Sequence, residues 1–142
     1  MKTHYKPLLI IISGFILSCK QKPLEFIKLD QFSKIDTIQQ NGRSFIMKQL
    51  NFIVKDYSNS QEAKKAIDAF VMEQVKNSEK GITYLLVFYK YSEITNVSHL
   101  KAYPRDIDRY SQDNDMIFTY RWLDGKLESK TVIDNGTIIS PR

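Results

Sequence analysis

Residues 116–133 read MIFTYRWLDGKLESKTVI. Apolar and polar residues alternate on both sides of Asp124-Gly125, a pair suited to the positive φ angles of a two-residue turn, so this stretch predicts a β-hairpin. That turn sets Leu123 opposite Lys126, Trp122 opposite Leu127, Arg121 opposite Glu128, Tyr120 opposite Ser129, Thr119 opposite Lys130, Phe118 opposite Thr131 and Met116 opposite Ile133. One face then gathers Met116, Phe118, Tyr120, Trp122, Leu127 and Ile133. The other carries Thr119, Arg121, Glu128 and Lys130, with opposite charges facing each other. A slip by one residue would scramble both faces, so Tyr120 and Trp122 are expected in a core.

Working outward, Asn41-Gly42 separates Ile35–Gln39 from Phe45–Val54, which predicts a second hairpin. Asn59 followed by Glu62 resembles a capping box, and Ala63, Ala66, Ile67, Phe70, Val71, Gln74 and Val75 recur at helical spacing as far as a stop at Lys80-Gly81. This predicts an amphipathic helix of roughly twenty residues, about 30 Å long. Thr83–Tyr91 is nearly continuous in apolar and aromatic residues, as in a strand covered on both faces at the centre of a sheet. Val97–Tyr103 reads as a strand, with His99 half exposed on it, and Pro104–Tyr110 as a loop or one helical turn. After Asn135-Gly136, Thr137–Ser140 adds a short edge strand. The expected class is α+β, one long amphipathic helix packed on a mainly antiparallel sheet that ends in a hairpin or meander, as a single domain over residues 26–142.

The N-terminus has a different character. Lys2 and Lys6 precede a nearly unbroken apolar run, Leu8–Leu17, and a small residue at position 18, the order of a secretory signal. Ten residues of helix span roughly 15 Å, about half the hydrocarbon thickness of a bilayer, so the run is too short for a permanent span. Ile16-Leu17-Ser18-Cys19 resembles the lipobox of bacterial lipoproteins. The resemblance implies removal of residues 1–18 and a diacylglyceryl thioether on Cys19, usually with an amide-linked acyl chain such as palmitate; the alternative is an ordinary signal cut elsewhere. Two or more chains anchor stably where one holds only marginally. Residues 19–25 then form a short linker. The Ser-Cys ending and the Lys/Ile/Asn-rich body resemble Bacteroidota lipoproteins, and the absence of an acidic run after Cys19 favours the periplasmic side of the envelope over the cell surface.

The chain has 142 residues and a formal charge of +5, which falls to +3 once Lys2 and Lys6 are removed. That is too mild to argue for nucleic acid. With His4 in the signal and Cys19 consumed by lipid, His99 is the one histidine left, and Cys-His catalysis and Cys/His zinc sites have no residues to use. No Walker loop or glycine-rich dinucleotide turn occurs. No cofactor and no metal are expected.

The densest polar cluster is Arg105, Asp106, Asp108, Arg109, Asp113, Asn114 and Asp115. Its carboxylates hint at calcium, but the spacing fails the EF-hand pattern and lacks the central glycine. An exposed turn whose charges balance is the plain alternative. Tyr103, Arg105, Arg109 and Tyr110 add residue types that dominate binding hot spots. The candidate binding residues are therefore Tyr103, Arg105, Asp106, Asp108, Arg109, Tyr110, Asp113 and Asp115. The sequence reads as a membrane-anchored envelope lipoprotein with a small non-enzymatic domain that binds a protein partner, as an accessory subunit or immunity-type inhibitor. A glycan- or cation-binding lipoprotein and a small envelope hydrolase are the alternatives.

Overall fold

The computed structural model describes residues 22–109, 114–134 and 136–139. Seven strands occur among them: β1 Glu25–Lys28, β2 Lys34–Gln40, β3 Arg43–Lys55, β4 Ile82–Lys90, β5 Met116–Leu123, β6 Lys126–Asp134 and β7 Thr137–Ile139. The helices are α1 Gln61–Val75, α2 Val97–Ala102 and α3 Asp106–Arg109, with a 3₁₀ turn at Asp30–Phe32. All seven strands belong to one sheet, in the order β1-β3-β4-β5-β6-β7, with β2 also on β3. β1 and β2 share one edge of β3: β2 runs beside Arg43–Gln49 and β1 beside Phe52–Lys55.

The expected class is overturned. The domain is mostly sheet, with 47% of the described residues in strands and 25% helical, and no long helix dominates it. α1 has 15 residues rather than about twenty. It ends at Val75 because Lys76–Lys80 turns back towards β4, with Ser78 N–H bonded to the Val75 carbonyl and Glu79 N–H to the Tyr84 hydroxyl. Its N-cap is Ser60, whose side chain accepts from Ala63 N–H at 3.1 Å, not Asn59. β3 and β4 are parallel, because α1 carries the chain back across the sheet between them.

Two further expectations change. Val97–Ala102 is helical: Asn96 caps it by accepting from His99 N–H at 2.9 Å, and a side-chain cap of this kind offsets the β preference of Val97. In the C-terminal hairpin, Leu123–Lys126 and Trp122–Leu127 pair as expected, but the register then shifts. Arg121 faces Ser129, Tyr120 faces Lys130 and Phe118 faces Val132. Glu128 is the extra residue of a bulge, which turns Lys130 and Val132 towards the side of Tyr120 and Phe118. Arg121 still reaches Glu128, with Nε 2.9 Å from Oε2.

α1 covers one face of the sheet. Ile67, Val71 and Val75 pack on Leu50, Phe52 and Val54 of β3, Leu86 and Phe88 of β4, and Phe118 and Tyr120 of β5. Phe26 stacks on Phe70 at 4.0 Å and Phe52 on Phe88 at 5.3 Å. The opposite face has a smaller core of Ile53, Val87 and Tyr89 under Leu29, Leu100 and Ile107. β4 contributes to both, which accounts for its continuous apolar sequence.

Candidate functional site

On the second face, the 3₁₀ turn and the α2–α3 segment cover only one end of the sheet. Between them lies a cavity of about 520 Å³. Its lining includes Gln49 and Asn51 of β3, Leu85 and Val87 of β4, and Thr119 of β5, bordered by Phe32 and Lys34 on one side and Ile107 and Met116 on the other. This volume lies within the range of about 300–1,000 Å³ common for small-molecule and cofactor sites. Leu85 is shared with a second hollow of about 180 Å³ towards the Asn41-Gly42 turn, lined by Ile38, Phe45, Met47, Thr83 and Arg121. The two form an open trough along the sheet, polar at the covered end and apolar at the other.

Strand alternation places these groups. Gln49, Asn51 and Ile53 point to one side of β3, and the same side receives Leu85, Val87 and Tyr89 of β4 through the parallel register. Asn51 is the fixed point. It is buried, its Nδ2 donates to the Phe32 carbonyl at 2.8 Å, and its Oδ1 accepts from Gln49 Nε2 at 3.2 Å. Leu29 N–H donates to the Asn51 carbonyl at 2.8 Å. Asn51 thus ties the 3₁₀ turn to the sheet twice, through its side-chain amide and through its backbone carbonyl. Lys34 at the rim is paired with Asp36 at 3.1 Å. Amides and hydroxyls of this kind orient a ligand by hydrogen bonding and do not exchange protons near neutral pH.

The sequence candidates are placed in three groups. Tyr103 and Arg105 are exposed between α2 and α3, and Tyr103 lies with its ring 5.0 Å from that of His99. Asp106 is drawn to His99, with Oδ2 2.7 Å from Nε2, so it ties α3 to α2. Asp108 and Arg109 belong to α3. Asp115 is a buried structural residue: its Oδ2 accepts from Ser92 Oγ at 2.6 Å and Thr95 Oγ1 at 2.7 Å, and its backbone carbonyl accepts from Lys90 N–H. Cys19, Tyr110 and Asp113 lie outside the described residues. Tyr103, Arg105 and Asp106 therefore share one corner and Asp115 serves another purpose, fixing the loop that leads into α2.

The sequence reading missed Gln49, Asn51 and Thr119. The available signal was a same-face pair of amides, Gln49 and Asn51, next to the apolar run Phe52–Val54. Among the described residues, no group of three or more His, Cys, Asp or Glu is placed to hold a metal ion. No described helix is long and apolar enough to cross a membrane. Comparison with known proteins finds no matching family, no similar curated protein and no similar solved structure.

Proposed function

We propose that the chain is an envelope lipoprotein, held to a membrane by lipid on Cys19 and facing the periplasm, whose domain binds a protein partner without transforming it. The observation that supports binding is the trough: an open, half-covered sheet face with fixed amides at one end and exposed Ile38 and Phe45 at the other. Such a surface, apolar with a few oriented polar groups, has the composition of a recognition site. The chain path supports a domain close to the membrane, because Lys22 is paired with Asp56 just past the end of β3 and only two residues separate it from Cys19.

Two measurements test this reading. Labelling with radioactive palmitate is expected for the native chain and lost in Cys19→Ala, which stays unprocessed; equal labelling of both removes the anchor. A photo-crosslinking residue at Gln31 or Lys34, on the rim, is expected to give one adduct of defined size in whole envelopes, whereas one at Met72 on the outer face of α1 gives none. Identical patterns from the three positions remove the trough as the binding surface.

A glycan is the second reading, favoured by the amides of Gln31, Gln49 and Asn51 in one cavity. It predicts a rise in melting temperature with envelope oligosaccharides that Asn51→Leu abolishes.

A further inference from the structure

β2 has a free side. Among the described residues it pairs with β3 alone, over the seven positions Lys34–Gln40. The Asn41-Gly42 turn, with φ of 51° and 72°, is a two-residue hairpin turn, so Gln40 and Arg43 form a hydrogen-bonded pair. Alternation then aims the backbone groups of Ile38, Asp36 and Lys34 at β3 and those of Ile35, Thr37 and Gln39 outward.

Natural edges are blunted by shortness, charge or proline. β1 and β7 are short, with four and three residues. β2 is longer, contains no proline and has no charge from Thr37 to Gln40. It also exposes Ile35, 68% accessible, on one face and Ile38, 38% accessible, on the other.

The place of this edge narrows what can cover it. β3 spans 13 residues, about 40 Å of strand. Lys22 lies at its C-terminal end and the Asn41-Gly42 turn at its N-terminal end. On the lipoprotein reading, residues 19–21 reach about 10 Å from Lys22 and stop far short of β2. The same reading sets the membrane at the opposite end from the turn, so lipid does not cover the edge. A second copy paired antiparallel through β2 would point its anchor away from the first membrane.

We propose that β2 is where an extended segment of a different envelope protein adds to the sheet as a further strand, its main chain bonding to Ile35, Thr37 and Gln39. Ile35 and Ile38 lie three residues apart on opposite faces, so the segment carries two apolar residues with the same spacing. The strand addition deepens the binding reading above and specifies its partner as an extended polypeptide.

The test uses the full chain in detergent micelles and a phage-displayed heptapeptide library. Enriched peptides are expected to lack proline, to carry apolar residues three apart, and to slow amide hydrogen exchange at Ile35, Thr37 and Gln39. Thr37→Pro removes one outward N–H without touching the β2–β3 ladder and is expected to weaken binding about tenfold, against less than twofold for Thr37→Val. Ile35→Asp leaves the backbone intact and is expected to weaken binding similarly, which keeps the test valid if Thr37→Pro unfolds. Absence of enrichment, binding by Thr37→Pro and Ile35→Asp as tight as by the native chain, protection confined to the trough, or self-association through β2 overturns the proposal. Palmitate labelling of Cys19 is read separately, so failure of the anchor and failure of the edge are distinguishable.

Discussion

The Tyr120 hydroxyl on β5 donates to Asp68 Oδ1 on α1 across 2.6 Å, and Lys130 Nζ on β6 meets the same oxygen at 2.6 Å. Lys130 also lies over the rings of Phe118 and Tyr120, at 5.4 and 5.3 Å. One carboxylate therefore joins the helix to two strands. Tyr120 is buried, so Asp68→Ala leaves its hydroxyl without an acceptor and is expected to cost about 1–3 kcal/mol in urea unfolding. Tyr120→Phe, which removes the donor as well, is expected to cost about 1 kcal/mol.

Burial, and then the Asp68 carboxylate, push the Tyr120 phenol far above its ordinary value of 10, and burial raises Tyr57 as well. In the unfolded chain Tyr120 ionises near pH 10, while in the folded chain it stays protonated. Its contribution is thus whole below pH 10 and is lost as pH rises above it, by up to about 1.4 kcal/mol per pH unit, with Tyr57 acting in the same direction. Unfolding between pH 9 and 12 is expected to show this decline, and Tyr120→Phe to make it shallower; an unchanged slope refutes the assignment.

The two neighbouring residues before α1 differ in role. Ser60→Ala removes the cap of Ala63 N–H and is expected to cost about 1 kcal/mol, whereas Asn59→Ala is expected to change stability by no more than about 0.5 kcal/mol. Paired urea melts decide between them.

Thr95 is fully buried against Asp115. Asp115→Ala leaves the Ser92 and Thr95 hydroxyls without their acceptor and is expected to cost about 1–3 kcal/mol. The double variant with Thr95→Val is expected to cost less than the sum of the two single changes, because the pair acts as a unit.

The turns were legible because Asn41-Gly42 and Asp124-Gly125 supply positive φ where few residues do, and β4 was legible from its unbroken apolar run. The hairpin register failed past Arg121 for a specific reason: a bulge at Glu128 satisfies a local pattern of opposed charges while serving a distant partner, Asp68. Only the tertiary position of α1 makes Lys130 useful on the helix side. α2 was misread because Val97 favours strands, although Asn96 three residues before His99 is a capping signal. The trough was hidden because its residues come from four strands, a 3₁₀ turn and α3, brought together by strand alternation and by the tie that Asn51 makes to the turn. The corner at Tyr103, Arg105 and Asp106 was legible as local charge density, but that density could not reveal that Asp106 is held by His99.

The arrangement around β3 also orders assembly in time. Its contacts with β2 close across a two-residue turn and are of the kind that forms within microseconds. Those with β1 join residues 24 to 30 positions apart, and those with β4 wait for α1 to carry the chain back. The β2–β3 hairpin and the β5–β6 hairpin are therefore the early pieces, and β4 is the strand that unites them. Until β4 pairs with both, each early hairpin shows an open apolar flank, so the folding chain is most vulnerable to misassembly before β4 is in place.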